Sequence, residues 1–453
     1  MYSAQHTLIR EQKYSALFAY LDLNSRLAKN LYNASLYRVR QIFTGWDKDS
    51  RTANEQEVFD EVRKTEEMYN IGIRRVISYY HLEKLMRATH NPDFFSGLPM
   101  HTAQHVLKLA VQNFKAWLEA LKAYRRDESA FLGKPRMPGY LKNERTTFVV
   151  SNQEAVVYRE KGHIKLPHTK EKLSASNVRE SWRLKQITVK PMHGAFDVVS
   201  VFEMPDTEGR IADGTYTESA AIDFGVKNIA AIVYTDGRSR IYKGGALLSE
   251  LQLYAKRRAK AVQAMTHGHK NRKASSKRLT RMDLDHENYV RDALHQISRS
   301  IVNNCLEHKA GTLVLGVNKL WKQESGIGRQ SNQQFVLMPI ARLRSMITYK
   351  AERAGIKVIV QEESYTSRAS FPDGDDIPEY GKAVEPTFSG KRVRRGLYRT
   401  ADGLILNADC NAAANILKKA LPAETGKIKD FQGLVSPEVI RPKRSPVKGI
   451  AAA

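Results

Sequence analysis

Apolar positions change their period along the chain. Residues 2–9 are read as a short strand. From 13 to 44 (KYSALFAYLDLNSRLAKNLYNASLYRVRQIFT) apolar residues recur near helical spacing, with Arg and Lys between them. A linker rich in Asp, Glu and Asn follows. Helical spacing resumes around 69–93 and is clear at 103–125. The segment 131–144 (FLGKPRMPGYLKNE) is punctuated by Gly and Pro and predicts a loop. From 146 to 204 the period moves towards two, and TFVVS, AVVYR, HIKLP, LKQITVKP and FDVVSVFEMP predict strands.

From 218 the pattern becomes βαβ-like. AAIDFGV, NIAAIVYTD and SRIYKGG predict three strands joined by tight turns. A long basic helical region covers 250–308. Strand TLVLGV (312–317), a helix over 334–355 and strand KVIVQEE (357–363) come next. An irregular basic loop spans 364–404. LNADCNAAANILKKAL (406–421) opens near Asp409 and continues as a helix. The chain beyond 422 predicts a weakly structured basic tail. Three strands, a helix, a strand, a helix, a strand and a last helix make the order of an RNase H-like fold, so the class expected is α/β.

Charge narrows the partner. Lys and Arg number 73 against 48 Asp and Glu, a formal net charge of +25. Such an excess opposes compaction unless a polyanion offsets it, and nucleic acid is the leading partner. No apolar run is long enough for a bilayer, and the first residues do not read as a signal peptide, so no membrane is expected. The two cysteines, Cys305 and Cys410, exclude a disulfide scaffold and a four-cysteine zinc site, and point to a reducing compartment.

Within this pattern, acids end apolar runs where a buried charge is costly unless compensated. They are Asp223, the pair Glu362 and Glu363, and Asp409. An RNase H-like order brings such positions to one sheet edge. Two divalent cations would compensate them and could activate water against a phosphodiester. Alternation lets one glutamate of the pair face the site. Glu362 is favoured, because it shares a face with Val358 and Val360. Each acid alone is more often a turn or cap residue than a catalytic one. His267 and His269 read as solvated.

Several stretches resemble the TnpB family, transposon-encoded RNA-guided nucleases with a RuvC-like domain, related to compact type V CRISPR effectors. They are AIDFGVKNIA (221–230), RDALHQISRSIV (291–302), SYTSRAS (364–370), FSGKRVRRGLYRTADG (388–403) and NADCNAAANI (407–416). NLYNASLYRVRQ (30–41), KPRMPGY (134–140) and SNQ (151–153) look similar to one branch of that family. The resemblance implies a metal-dependent DNA endonuclease acting with a guide RNA on double-stranded DNA. It also implies a prokaryotic cytosolic, nucleoid-associated setting and a role in transposition. Asp223 would be the first acid and Asp409 the third. Two Mg²⁺ ions are expected, with Mn²⁺ able to substitute.

The resemblance further implies a β-barrel-like wedge domain (1–12 and 126–217), an inserted helical recognition domain (13–125), and a RuvC-like nuclease domain (218–363 and 405–421). A target nucleic-acid-binding loop (364–404) and a basic flexible tail (422–453) complete the division. Lys391, Arg392, Arg394, Arg395 and Arg399 are expected to contact nucleic acid. Two positions depart from the family's pattern. Gly316 stands where the second acid usually follows its strand, which leaves Glu362 or Glu363 to supply it. Ser370 and Asp373 stand where a zinc-binding cysteine pair usually lies, so no zinc is expected. A nuclease-dead RNA-guided DNA-binding protein, acting as a repressor or targeting module, is the alternative reading.

Overall fold

The computed structural model describes residues 2–175, 178–205, 211, 214–267, 276–318, 336–378 and 386–442. They fall into two compact units, Met1–Asp206 and Thr207–Ala453.

In the first unit, β1 (Tyr2–Ile9) is followed by α1 (Ser15–Gly45), α2 (Ala53–Tyr69), α3 (Tyr79–Ala88) and α4 (Met100–Arg126). Strands β2 (Phe148–Ser151), β3 (Val156–Tyr158), β4 (His163–Lys165), β5 (Lys172–Ser174), β6 (Arg183–Met192) and β7 (Ala195–Glu203) complete it. β1 pairs antiparallel with β7 along its length, in a sheet of order β1-β7-β6-β2. The helices thus lie in sequence between two strands of one sheet. That sheet is open, with β1 and β2 at its edges, and no barrel closure is present among the described residues.

Helix α1 buries Leu17, Leu21, Ala28, Leu31, Val39 and Ile42, the residues its helical period aligns on one face. α4 buries Ala103, Val106, Leu107, Ala110, Val111 and Phe114. Both faces join Ile9, Phe196 and Val198 of the sheet in one core. The helical and β parts are therefore packed as one unit. The acidic stretch read as a linker contains α2. Thr52 and Glu55 cap its start reciprocally, a signal that outweighs its modest apolar content.

The second unit is a mixed α/β assembly in three layers. Its strands are β8 (Glu218–Asp223), β9 (Asn228–Tyr234), β10 (Ser239–Lys243), β11 (Ala310–Val317), β12 (Lys357–Glu362) and, late in the chain, β16 (Glu438–Ile440). The order across the sheet is β12-β11-β8-β9-β10-β16. β8, β9 and β10 are antiparallel neighbours, whereas β11 and β12 run parallel to β8. Helix α5 (Gly245–Thr266) buries only Leu247, Leu248 and Leu251 near its start. α6 (Lys277–Glu307) and α7 (Ile340–Ala354) cover one face of the sheet. Strands β13 (Lys391–Arg394), β14 (Leu397–Arg399) and β15 (Ile405–Asn407) form a separate ribbon that leads into α8 (Ala408–Ala420). α8 covers the other face, where Ala408, Ala413 and Ala414 let its backbone approach Ala221, Ala231 and Val314 closely.

The weakly structured tail expected from 422 is corrected for residues 422–442. Short helices α9 (Pro422–Thr425) and α10 (Gln432–Val435) bring the chain back, and β16 pairs parallel with β10. Ile428 and Leu434 are buried in the α8 core, so two apolar anchors suffice to dock a polar segment. Residues 443–453 and His269 lie outside the described residues.

The return depends on close backbone approach. A Cβ on Gly433 would collide with Gly237 O, while Ser239 Oγ donates to Gly433 O at 2.5 Å. Gly433→Ala is expected to cost on the order of 1–3 kcal/mol by overpacking. It should speed amide hydrogen exchange at Arg240–Tyr242 and Glu438–Ile440, leaving α1 and α4 unchanged.

Candidate active site

Strand residues alternate between the two faces of a sheet. On the α8 face lie Ala221 of β8 and Val314 of β11. Two residues onward, the same face receives Asp223 and Gly316. On β12, Ile359 packs against the α8 core, so Gln361 and Glu363 continue that face. Glu363 N donates to Val317 O at 3.3 Å, prolonging the ladder one residue beyond β12.

The glutamate expectation needs a correction. Val358 packs towards the opposite core, under α6 and α7, and Val360 is 62% exposed. Glu362 shares their parity and turns away from Asp223. Its Oε2 accepts Lys419 Nζ at 2.7 Å, and its Oε1 accepts Ser364 N at 2.6 Å and the Ser364 hydroxyl. Burial raises the Glu362 pKa, but Lys419 and Ser364 outweigh it and hold the carboxyl below its usual range. Glu363 instead lies over Gly316. A Cβ on Gly316 would sit 3.0 Å from Glu363 Oε2 and 2.6 Å from Ile416 Cδ1. Glu363 Oε2 is buried with no hydrogen-bond partner.

Asp409 reaches the same edge from the first turn of α8. Asn407 caps that turn, accepting from Asp409 N and Cys410 N at 3.0 and 3.2 Å. The positive end of the helix dipole favours a carboxylate there. Asn228 Nδ2 donates to Asp409 Oδ2 at 2.6 Å, and Lys243 Nζ donates to Asn228 Oδ1 at 2.9 Å. Lys243 thereby fixes the amide that orients Asp409. Arg392 Nη2 lies 3.6 Å from Asp409 Oδ1. Sequence reasoning missed Asn228 and Lys243 in this role. The available signal was the D-x-G-x-x-N spacing of 223–228, where a Cβ on Gly225 would lie 2.7 Å from Asn228 O. A glycine there allows the turn that brings Asn228 beside the acids.

The electrostatics are those of a crowded anionic edge. Burial pushes the Asp223 carboxyl well above its usual range, and Glu363 and Asp409 push it further, with Arg392 opposing. Burial, with Glu362 beside it, raises Glu363 to about 7, and Arg344 opposes. Among the described residues no three acidic, imidazole or thiol groups are gathered closely enough to hold an ion as they stand. Like charges cannot be brought together without a counter-charge. The partnerless Glu363 oxygen and the two raised carboxyls are what a hard cation would relieve, so the donor set fits one.

The loop after β12 is tied down by side chains. Asn411 and Asn415, one turn apart on α8, donate to the backbone oxygens of Thr366 and Ala369, and Phe371 N donates to Asn411 Oδ1. Asp375 accepts from Ser370 N at 2.7 Å and from Ser389 N, and Asp373 accepts from Ala401 N at 2.9 Å. In the ribbon, Lys391, Arg394, Arg395 and Arg399 are exposed. Arg392 differs from them in facing Asp409.

Two family models match this unit. One, OrfB_IS605, described as a probable transposase, matches residues 203–322. The other, the TNB domain of Cas12f1-like proteins, matches residues 341–416. The chain is 26% identical over 248 residues to a TnpB-like protein, ORF457, of Acidianus two-tailed virus, covering 53% of this chain and 50% of that protein. It is 25% identical over 217 residues to the CRISPR-associated endodeoxyribonuclease Cas12f2 of Micrarchaeota archaeon (strain CG1_02_47_40), covering 46% and 38%. These matches make residues 203–322 and 341–416 similar to TnpB and Cas12f1-like proteins.

The chain thus spans half or less of the length of these curated relatives. A solved Cas12f1-sgRNA-target DNA complex aligns with 89% of the chain and 83% of its own at a TM-score of 0.47 and 14% identity. A CRISPR-Cas12f ternary complex aligns at a TM-score of 0.33, also at 14% identity, covering 89% and 82%. Both motifs that carry the TnpB resemblance meet at this site: D-x-G-x-x-N supplies Asp223 and Asn228, and the α8 motif supplies Asp409, Asn411 and Asn415.

Raised carboxyl pKa values make a prediction about the metal-free protein. A group whose folded pKa exceeds its unfolded value stabilises the fold below the unfolded pKa, and that contribution is lost as pH rises through the folded pKa. For Glu363 the window runs from the ordinary carboxylate range near 4.3 up to about 7. In EDTA at pH 8, Glu363→Gln should melt higher than the parent, by roughly 2–4 °C. Differential scanning calorimetry should show the gap closing towards pH 4.5. In a second test, Gly316→Ala should lower any Mg²⁺-induced rise in melting temperature, because the added methyl meets the Glu363 carboxylate and Ile416.

Proposed function

We propose that this chain is an RNA-guided DNA endonuclease that hydrolyses phosphodiesters at an RNase H-like, RuvC-type site. One observation carries the reading: Asp223, Glu363 and Asp409, far apart in the chain, share the α8 side of one sheet edge. The sheet order, with β11 and β12 parallel to β8, supports it.

Asp223, Glu363 and Asp409 would hold the divalent cations, two Mg²⁺ ions with Mn²⁺ as substitute. When bound, these supply an activated water and a counter-charge for the leaving oxygen. The chain's own residues do the rest. Asn228, held by Lys243, fixes one Asp409 oxygen and leaves the other to face the site. Lys419 keeps Glu362 engaged elsewhere, so Glu363 is the second acid and fills the place that Gly316 leaves open. Arg392 is poised between Asp409 and solvent, where it can meet a phosphate. Lys391, Arg394, Arg395 and Arg399 would bind the strand's backbone.

A guide RNA would supply sequence specificity by pairing with one strand of double-stranded target DNA, while the protein senses backbone shape. The relatives' names, TnpB-like protein and Cas12f2 endodeoxyribonuclease, support this assignment. No helix among the described residues is long and apolar enough to cross a membrane. A prokaryotic cytosolic setting in a transposable element fits these features. No zinc is proposed for the loop, where Asp and Asn side chains hold the backbone by hydrogen bonds. Both cysteines are buried.

Gly316 favours the second reading, a nuclease-dead RNA-guided DNA-binding protein. A plasmid-cleavage assay with Mg²⁺, guide RNA and target separates the two. Under the leading reading, Asp223→Ala abolishes cutting and leaves target binding intact. Glu363→Gln lowers cutting by at least 100-fold, whereas Glu362→Gln changes it less than tenfold. Target binding by the unmodified protein with no cutting at all supports the second reading.

A further inference from the structure

We propose that residues 134–143 of the first unit form a fixed rail for the phosphate backbone of an RNA strand. The proposal rests on the guide-RNA reading and names a place where that RNA would be held.

From 131 to 147 the chain has no helix or strand. A segment this long without regular structure loses much conformational entropy when fixed, and in compact domains it is usually functional or disordered. Here it is fixed by α1 and α4. Asn33 brackets Leu141, donating from Nδ2 to its oxygen at 3.0 Å and accepting from its nitrogen at 2.8 Å. Arg40 Nη1 donates to Pro138 O at 3.1 Å, and Trp117 Nε1 donates to Pro135 O at 3.2 Å. Ser25 Oγ donates to Thr146 O at 2.6 Å and accepts from Thr146 N at 2.9 Å. Met137 and Leu141 pack against the core. Pro135 and Pro138 restrict the backbone further.

What the pinned backbone presents outward is cationic. Lys134, Arg136 and Lys142 are exposed, and none has a carboxylate partner among the described residues. Nearby arginines are committed elsewhere. Arg145 pairs with Asp22 and stacks on Phe18 and Phe196, and Arg40 lies 5.1 Å from the Tyr140 ring. Among the described residues no ion pair commits Lys134, Arg136 or Lys142, which leaves their charge to solvent or a polyanion. Lys134 and Arg136 stand two residues apart on this fixed stretch, and both are exposed. Tyr140 and Asn143 are exposed beside them. The tyrosine offers a ring face to a base, and its hydroxyl and the asparagine amide offer a donor and acceptor to a 2′-hydroxyl. This combination favours RNA over DNA.

The test uses the full chain and a fluorescein-labelled 20-nucleotide poly(U) strand, followed by anisotropy across a salt series. Each single-strand phosphate contact contributes about 0.7 to the slope of log K against log salt. The combined K134A, R136A and K142A variant should bind at least tenfold more weakly at low salt, with a slope shallower by about two. Its melting temperature should not move. Asn33→Ala removes an anchor and no charge, so affinity should fall with the slope retained. An unchanged slope in the triple variant overturns the rail while leaving guide-RNA binding by the parent intact. No RNA binding by the parent overturns the reading beneath it. An equal loss on a poly(dU) strand of the same length overturns the assignment to RNA.

Discussion

Carboxylates of like charge do not gather in a poorly solvated corner unless something holds them. Around Asp223 the chain does this piecemeal. Asn228 takes one oxygen of Asp409, Arg392 stands off the other, and Lys419 draws Glu362 out of the group. Much else follows from that constraint. The glycine at 225 permits the turn that carries Asn228, α8 needs alanines to lie near enough for Asp409 to reach, and Gly316 leaves room for Glu363. The edge is arranged to tolerate negative charge and to accept a positive partner.

Much of this was legible in the residues. The run of strands and helices from 218 gave the succession of elements along the chain, though not the strand order across the sheet, and the apolar flanks of Asp223 and Asp409 marked two of the acids. The face of β12 was not legible. Val358, Ile359 and Val360 offer apolar side chains to both sides, so periodicity alone could not say which glutamate follows the α8 core. Only the packing of Ile359 and the exposure of Val360 decide it. α2 was missed for a related reason: its capping box lies in an acidic stretch that binary patterning reads as a linker. β16 was missed because a three-residue strand takes its stability from the edge it joins.

Side chains of α8 tie down the start of the loop that follows β12. Asn411 and Asn415 stand one turn apart on α8, and each reaches backbone oxygens of the loop. The same helix thus carries Asp409 on one side and the loop's anchors on another. A shift of α8 would move the acid and the loop together. Arg392, at the start of the basic ribbon, closes this triangle by facing Asp409.

Gly316 and Glu363 constrain one another. A side chain at 316 and the glutamate at 363 claim one volume beneath Ile416. An acid introduced at 316 would have to displace Glu363 or Ile416, so one chain has room for a carboxylate from only one of the two positions.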